Sequence, residues 1–229
     1  MNSHSPTGSV ILVHGAWADG SCWSHIILPL QRSGLNVIAA PIPLTSLTED
    51  TAALQRSIEK TSGPVTLVGH AYAGAVIAAA HHERVKALVY VAALAPDEGE
   101  TVADVFYRVP PHPAAPRLSP DAHGFIWMPA DGFANAVAHN ASSDQLAIMN
   151  AVQRPIAVQC IQEKVPTPAW KTKPSWYLLA EDDRMILRET QRFMADRMGA
   201  AVREFAVDHS PMYTSPSLVV DVIVEATRI

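Results

Sequence analysis

Charge is scarce in this chain of 229 residues. Lys and Arg number 17 and Asp and Glu 22, together 17% of the sequence, for a formal net charge of −5. Basic residues form no run, so neither nucleic acid nor an anionic membrane surface is an expected partner. The two cysteines, Cys22 and Cys160, are too few for a disulfide framework and read as small core hydrophobes. No apolar run approaches the ~20 residues that cross a bilayer, and mean hydropathy is only +0.09. The opening stretch MNSHSPTGSVILVHG lacks a basic region, and its apolar run Val10 to Val13 is too short for a signal peptide. A cytoplasmic location is the expectation. There is no HEXXH pattern, no ligand-spaced His/Cys cluster and no G-x-G-x-x-G, so no metal and no other cofactor is expected.

Apolar material is plentiful, at 48% of residues. That fills a sizeable core and suits one domain carrying at most an insertion. Ser9 to Val13, Asn36 to Ala40, Val65 to Val68 and Ala87 to Ala92 read as buried strands. Between them, Cys22 to Ser33 reads as a helix closed by Gly34, and Ser46 to Thr61 as a helix with Thr48, Glu49 and Asp50 in its first turn. Ala71 to His82 is small and apolar, as a helix lying close on a sheet must be. Farther on, Ser175 to Leu179 and Val202 to Val207 read as strands, and Leu187 to Met198 and Leu218 to Ala226 as helices. Continuous apolar strands alternating with helices predict an α/β fold with a mostly parallel sheet covered on both faces. Residues 96–174 break the alternation with 11 of the 18 prolines and no clear strand. Helix-compatible stretches there are Asp131 to Ala138 and Asp144 to Val152. The expected organisation is a core of residues 1–95 and 175–229, with an inserted helical cap at 96–174.

The segment Val65 to Gly74 (VTLVGHAYAG) carries an apolar strand through a sharp turn into a small-residue helix, the context of a G-x-S-x-G nucleophile elbow. Three further segments stand at strand ends: His14-Gly15-Ala16-Trp17, Ala180 to Ile186 (AEDDRMI) and Asp208-His209-Ser210-Pro211. Taken in order, the four resemble the motifs of the α/β-hydrolase fold family. The chain most resembles its small capped branch of plant methyl esterases, hydroxynitrile lyases and related bacterial esterases. The resemblance implies a general base at His209, an orienting carboxylate at Asp183 and a backbone oxyanion hole at Ala16 and Tyr72. Asp182 reads as a solvated loop charge.

One departure dominates. The nucleophile position holds Ala71, and the usual glycine two residues later is Ala73. A methyl group cannot attack a carbonyl, so no acyl-enzyme can form at residue 71. Loss of the serine from such a site costs about 10⁶ in turnover, while ~10³–10⁴ over water survives through the oxyanion hole and binding. A His–Asp dyad facing two N–H donors can still activate water or remove a proton beside a carbonyl.

The remaining candidates divide more evenly between roles. His14 suits a structural hydrogen bond in its turn, and His70 suits packing at the elbow. Ser21 is the nearest substitute hydroxyl, but reads as a helix-capping residue. Trp17, Trp127 and Tyr107 are the aromatic candidates for substrate contact. Met128, His112, His123 and Trp170 serve equally well as filling for the insertion. A hydroxynitrile lyase of this branch would need a serine, a threonine and a lysine where Ala71, Gly15 and Ser210 stand, which disfavours that reaction. Three readings stay open. The first is an enzyme acting on a small apolar carbonyl or ester compound through the dyad alone. The second is a serine carboxylesterase inactivated by a serine-to-alanine change at position 71. The third is a ligand-binding protein on a hydrolase scaffold. The expected partner is a small-molecule substrate, and a homodimer is the base-rate expectation for assembly.

Overall fold

The computed structural model describes residues 8–228; residues 1–7 and 229 of the expected core lie outside them. In chain order the strands are β1 (Ser9–Val13), β2 (Asn36–Ala40), β3 (Val65–His70), β4 (Val85–Val91), β5 (Phe125–Ile126), β6 (Ile156–Ala157), β7 (Ser175–Ala180) and β8 (Ala201–Phe205). The helices are α1 (Ser24–Arg32), α2 (Leu47–Glu59), α3 (Ala73–Ala79), α4 (Val102–Phe106), α5 (Ala130–Gly132), α6 (Ser143–Val152), α7 (Val158–Gln162), α8 (Arg188–Met198), α9 (Pro211–Thr214) and α10 (Pro216–Ala226).

Six strands form one sheet in the order β2-β1-β3-β4-β7-β8, and every pairing in it is parallel. The apolar runs of β1, β3, β4 and β7 are buried because helices cover both faces. On one face Trp23, Ile26 and Leu30 pack with Val219, Val222 and Ile223 of α10. On the other, Leu54 and Ile58 of α2 and Val76 and Ile77 of α3 pack with Met194 of α8. The chain adds β2 to one side of β1 and then returns to add β3 to the other. That reversal opens a crevice at the carboxyl ends of β1 and β3, where α/β sheets bind ligands.

Local chemistry sets the boundaries. Ser46 caps α2 by accepting the N–H of Glu49 at 3.0 Å, and Gly199 ends α8 in a left-handed conformation, φ 61°. The helix read from Ala71 to His82 is shorter at both ends, because β3 continues to His70 and the turn consumes Ala71 and Tyr72. Asp50, read as part of a helix first turn, has no solvent exposure at all. The stretch 96–174 contains a two-residue antiparallel ladder, β5 with β6, where sequence showed no strand. The Asp131 to Ala138 stretch is split between α5 and a π-helical turn at Phe133–Val137.

Candidate active site

The turn after β3 is sharp and strained. Ala71 sits at φ 51°, a left-handed conformation that costs an L-residue about 1–2 kcal/mol. Its carbonyl accepts the N–H groups of Gly74 (3.1 Å) and Leu94 (2.9 Å), which fixes the turn against the loop after β4. Gly69 and Gly74 are required here: a Cβ on Gly69 would lie 2.7 Å from the Ala73 carbonyl, and one on Gly74 2.2 Å from that of Leu94. Ala73 keeps its methyl fully buried without such a conflict.

The turn after β1 meets the elbow directly. A Cβ on Gly15 would touch the Ala71 methyl and the His70 carbonyl, both at 3.0 Å. His14 is buried and its Nδ1 donates to the Gly15 carbonyl at 2.9 Å. Burial holds its imidazole below the ordinary histidine range, which favours the neutral ring. Trp17, at φ 58°, is held from outside the core. Its backbone N–H donates to the Arg154 carbonyl (3.0 Å) and its indole N–H to that of Ile126 (2.9 Å).

The loops after β7 and β8 bring Asp183 and His209 together. His209 Nδ1 donates to Asp183 Oδ2 at 2.7 Å, and both side chains are buried. Asp183 Oδ1 accepts the backbone N–H groups of Met185 (2.7 Å) and Ile186 (2.8 Å). Its neighbours Glu181 and Asp182 are exposed. The His70 ring lies against that of His209, with centroids 4.8 Å apart and planes inclined at 48°, and its Nε2 donates to the His209 carbonyl at 2.8 Å. Burial, and then the neighbouring His209, push His70 well below the ordinary range, so it serves as a neutral donor.

Tyr72 turns its side chain away from the histidines. Its hydroxyl donates to Asp50 Oδ2 at 2.7 Å, while Asp50 Oδ1 accepts the N–H of Leu44 at 2.7 Å. Leu44 has φ 61° and is pinned by that bond. Burial raises the Asp50 carboxyl above its ordinary value, and burial beside Asp50 raises the Tyr72 phenol. The Cys160 thiol lies 3.6 Å from Asp50 and is pushed up to about 12, chiefly by burial.

His70, Ala71, Tyr72 and His209 border an open-mouthed pocket whose empty space, open solvent included, is about 870 Å³. Ala16, Trp17, His70, Ala71, Tyr72, His209 and Ser210 line its inner end, and Val102, Phe106, Leu118, Phe133, Val137 and Ile161 line the side formed by residues 96–174. No Asp, Glu, Lys or Arg lines it. Tyr107 stands at the wall while remaining 58% exposed. Trp127, a candidate from sequence, lies outside the lining: it is 50% exposed and its indole donates to Asp121 at 3.2 Å. Ser21 is also outside, exposed and donating to Asp19. Among the described residues, no group of three or more His, Cys, Asp or Glu is placed to hold a metal. Sequence reading missed two contributors, Asp50 behind Tyr72 and Gln191 beside Asp183. Neither has a motif, and only the fold brings them to these positions.

Comparison with known proteins agrees with this architecture. A profile of the alpha/beta hydrolase family matches residues 10–222. Methylesterase 8 of Arabidopsis thaliana is 24% identical over 239 residues, spanning 92% of this chain and 86% of its own. The crystal structure of polyneuridine aldehyde esterase superimposes with a TM-score of 0.82 at 16% identity, over 96% of this chain and 99% of that one. A T18A mutant of tomato methylketone synthase I gives 0.83 at 17% identity, over 96% and 98% of the two chains.

Proposed function

The chain belongs to the alpha/beta hydrolase family, and on that footing we propose that it is an enzyme of the esterase-like kind that works without a nucleophilic serine. Its substrate is a small, uncharged, apolar ester or carbonyl compound. Residues 96–174 act as the cap over its site. The observation that carries the reading is the His209–Asp183 pair, bonded at 2.7 Å, bordering a pocket with the Ala71 methyl at its inner end.

The chemistry follows from the parts. With Nδ1–H bonded to Asp183, the neutral His209 ring has its lone pair on Nε2. The substrate carbonyl oxygen points to the backbone N–H groups of Ala16 and Tyr72. Where a serine hydroxyl would stand, the shorter alanine leaves room for water. His209 Nε2 takes a proton from that water as its oxygen bonds to the carbonyl carbon, and the two N–H groups hold the resulting oxyanion. The imidazolium then returns its proton to the departing alkoxide. With a ketone or aldehyde, the same base can instead take a proton from the carbon beside the carbonyl. The uncharged lining supports an uncharged substrate, because an ion brought there meets no counter-charge. One similar protein carries a name that fits the ester branch of this chemistry, a methylesterase.

The test is turnover of p-nitrophenyl acetate by the chain, by Ala71→Ser and by His209→Ala. Restoring the hydroxyl is expected to raise kcat by at least about 10³, within the ~10⁶ that a serine contributes to such a site. His209→Ala is expected to remove the parent's own turnover. If Ala71→Ser gains nothing and His209→Ala loses nothing, the proposed site is not assembled for carbonyl chemistry.

A further inference from the structure

Gln191 on α8 has no solvent exposure, and the proposed chemistry does not use it. Burying a primary amide is costly unless both ends are hydrogen-bonded. Both are. Its Oε1 accepts the N–H of Ala180 at 3.1 Å. Its Nε2 lies 2.6 Å from the Ile186 carbonyl, 3.0 Å from Asp183 Oδ2 and 3.2 Å from the Ala180 carbonyl. Exchanging the two ends would face Oε1 with three acceptors and Nε2 with a donor, so the partners fix the orientation.

Asp183 Oδ2 therefore receives two donors, Gln191 Nε2 at 3.0 Å and His209 Nδ1 at 2.7 Å. Donors on one oxygen compete for its electron density, and the Asp183 side chain has no solvent exposure through which water could relieve that competition. We infer that Gln191 is a positioning residue for the His209–Asp183 pair, and that it sets the strength of their hydrogen bond by sharing Oδ2. Met185 and Ile186 hold the other oxygen through backbone N–H groups, so Gln191 is the side chain through which sequence can adjust this carboxylate. The inference rests on reading His209 and Asp183 as a working pair. Its test requires no substrate, so its failure and the failure of the proposed function are separable.

The experiment is Gln191→Met, which keeps the chain length and removes both polar ends. NMR of the histidine-labelled protein reads the His209 Nδ1 nitrogen and its proton. With Oδ2 left to His209 alone, that bond strengthens and both resonances are expected to move downfield. Resonances that stay in place, move upfield or vanish in a folded Gln191→Met protein overturn the inference. Should that variant not fold, the reciprocal reading remains. In His209→Ala, Oδ2 belongs to Gln191 alone, and the Gln191 side-chain amide proton is expected to move downfield. An unmoved amide overturns the sharing.

Discussion

Replacing Tyr72 with Phe removes one oxygen and leaves Asp50 Oδ2 without its 2.7 Å hydroxyl donor, with only the Cys160 thiol at 3.6 Å beside it. The cost depends on the charge state of Asp50. Burial raises its carboxyl, against the smaller opposing pull of the Tyr72 hydroxyl and the Leu44 N–H. A raised native value means the native state keeps a proton over a pH range in which the unfolded chain has lost it. Stability therefore falls as pH climbs from the ordinary value through the native one. Phe at position 72 deletes an interaction that favours the ionised form, so it raises the native value further and deepens that fall. Where the carboxyl is protonated the loss is that of a neutral hydrogen bond, about 1 kcal/mol; where it is ionised the loss is that of a bond to a charge, about 1.5–3 kcal/mol, so the loss should grow between pH 4.5 and pH 8. Urea unfolding at both pH values, followed by tryptophan fluorescence, measures the difference. In an Asp50→Asn background nothing titrates at this position, and the Tyr72→Phe effect should become independent of pH. A Tyr72→Phe loss equal at pH 4.5 and 8 within about 0.3 kcal/mol would refute the charge-based account.

Two glycines separate close approach from backbone conformation. Gly74→Ala places a Cβ 2.2 Å from the Leu94 carbonyl and should cost at least about 3 kcal/mol. Gly34→Ala has nothing within 4 Å but keeps φ at 82°, and should cost about 1 kcal/mol in the same melts. Asp208 accepts Asn140 N–H at 3.0 Å and Thr214 Oγ1 at 2.8 Å, so Asp208→Asn should speed hydrogen exchange at the Asn140 amide while exchange in β3 stays unchanged. The uncharged lining predicts that methyl butyrate outcompetes monomethyl succinate by at least about 10² in kcat/KM, since an unpaired buried carboxylate costs several kcal/mol; equal rates would count against an apolar pocket that desolvates its substrate.

What sequence reveals here follows how local each cause is. The bounds of β1 and β2 were readable to the residue, because both are short apolar runs bounded by breakers, but only β1 is buried as expected: β2 is the sheet's edge strand and only its Ala40 is buried. The meeting of His209 with Asp183 was legible only through the resemblance of their two loops to the family's motifs, since a place just after a strand does not separate Asp183 from Asp182. Asp50 was placed in a helix first turn, where it stands, but its burial was not legible, because nothing local separates it from the exposed Glu49 beside it. Only the approach of Tyr72 from the elbow and Leu44 from the preceding loop makes that carboxylate buried. Trp127 failed for the converse reason. An aromatic in an insertion rich in aromatics has no local mark of whether it faces pocket or solvent, and here Asp121 holds it at the surface.

The segment 96–174 matters for more than lining. It is bonded to four core loops: Trp17 after β1 by way of Arg154 and Ile126, Leu44 after β2 by way of Ala157, Arg184 after β7 by way of the Asn135 carbonyl, and Asp208 after β8 by way of Asn140. Three of these fasten backbone N–H groups, those of Trp17, Ala157 and Asn140, which lose a partner if the segment lifts. Two of the fastened residues, Trp17 and Leu44, hold left-handed backbones that relax unless something pins them. Displacing the segment would thus break hydrogen bonds and release strain in the turn that carries Ala16, one residue from Trp17. Under the proposed mechanism, lifting the segment would therefore remove a wall of the pocket and loosen the Ala16 donor in one step.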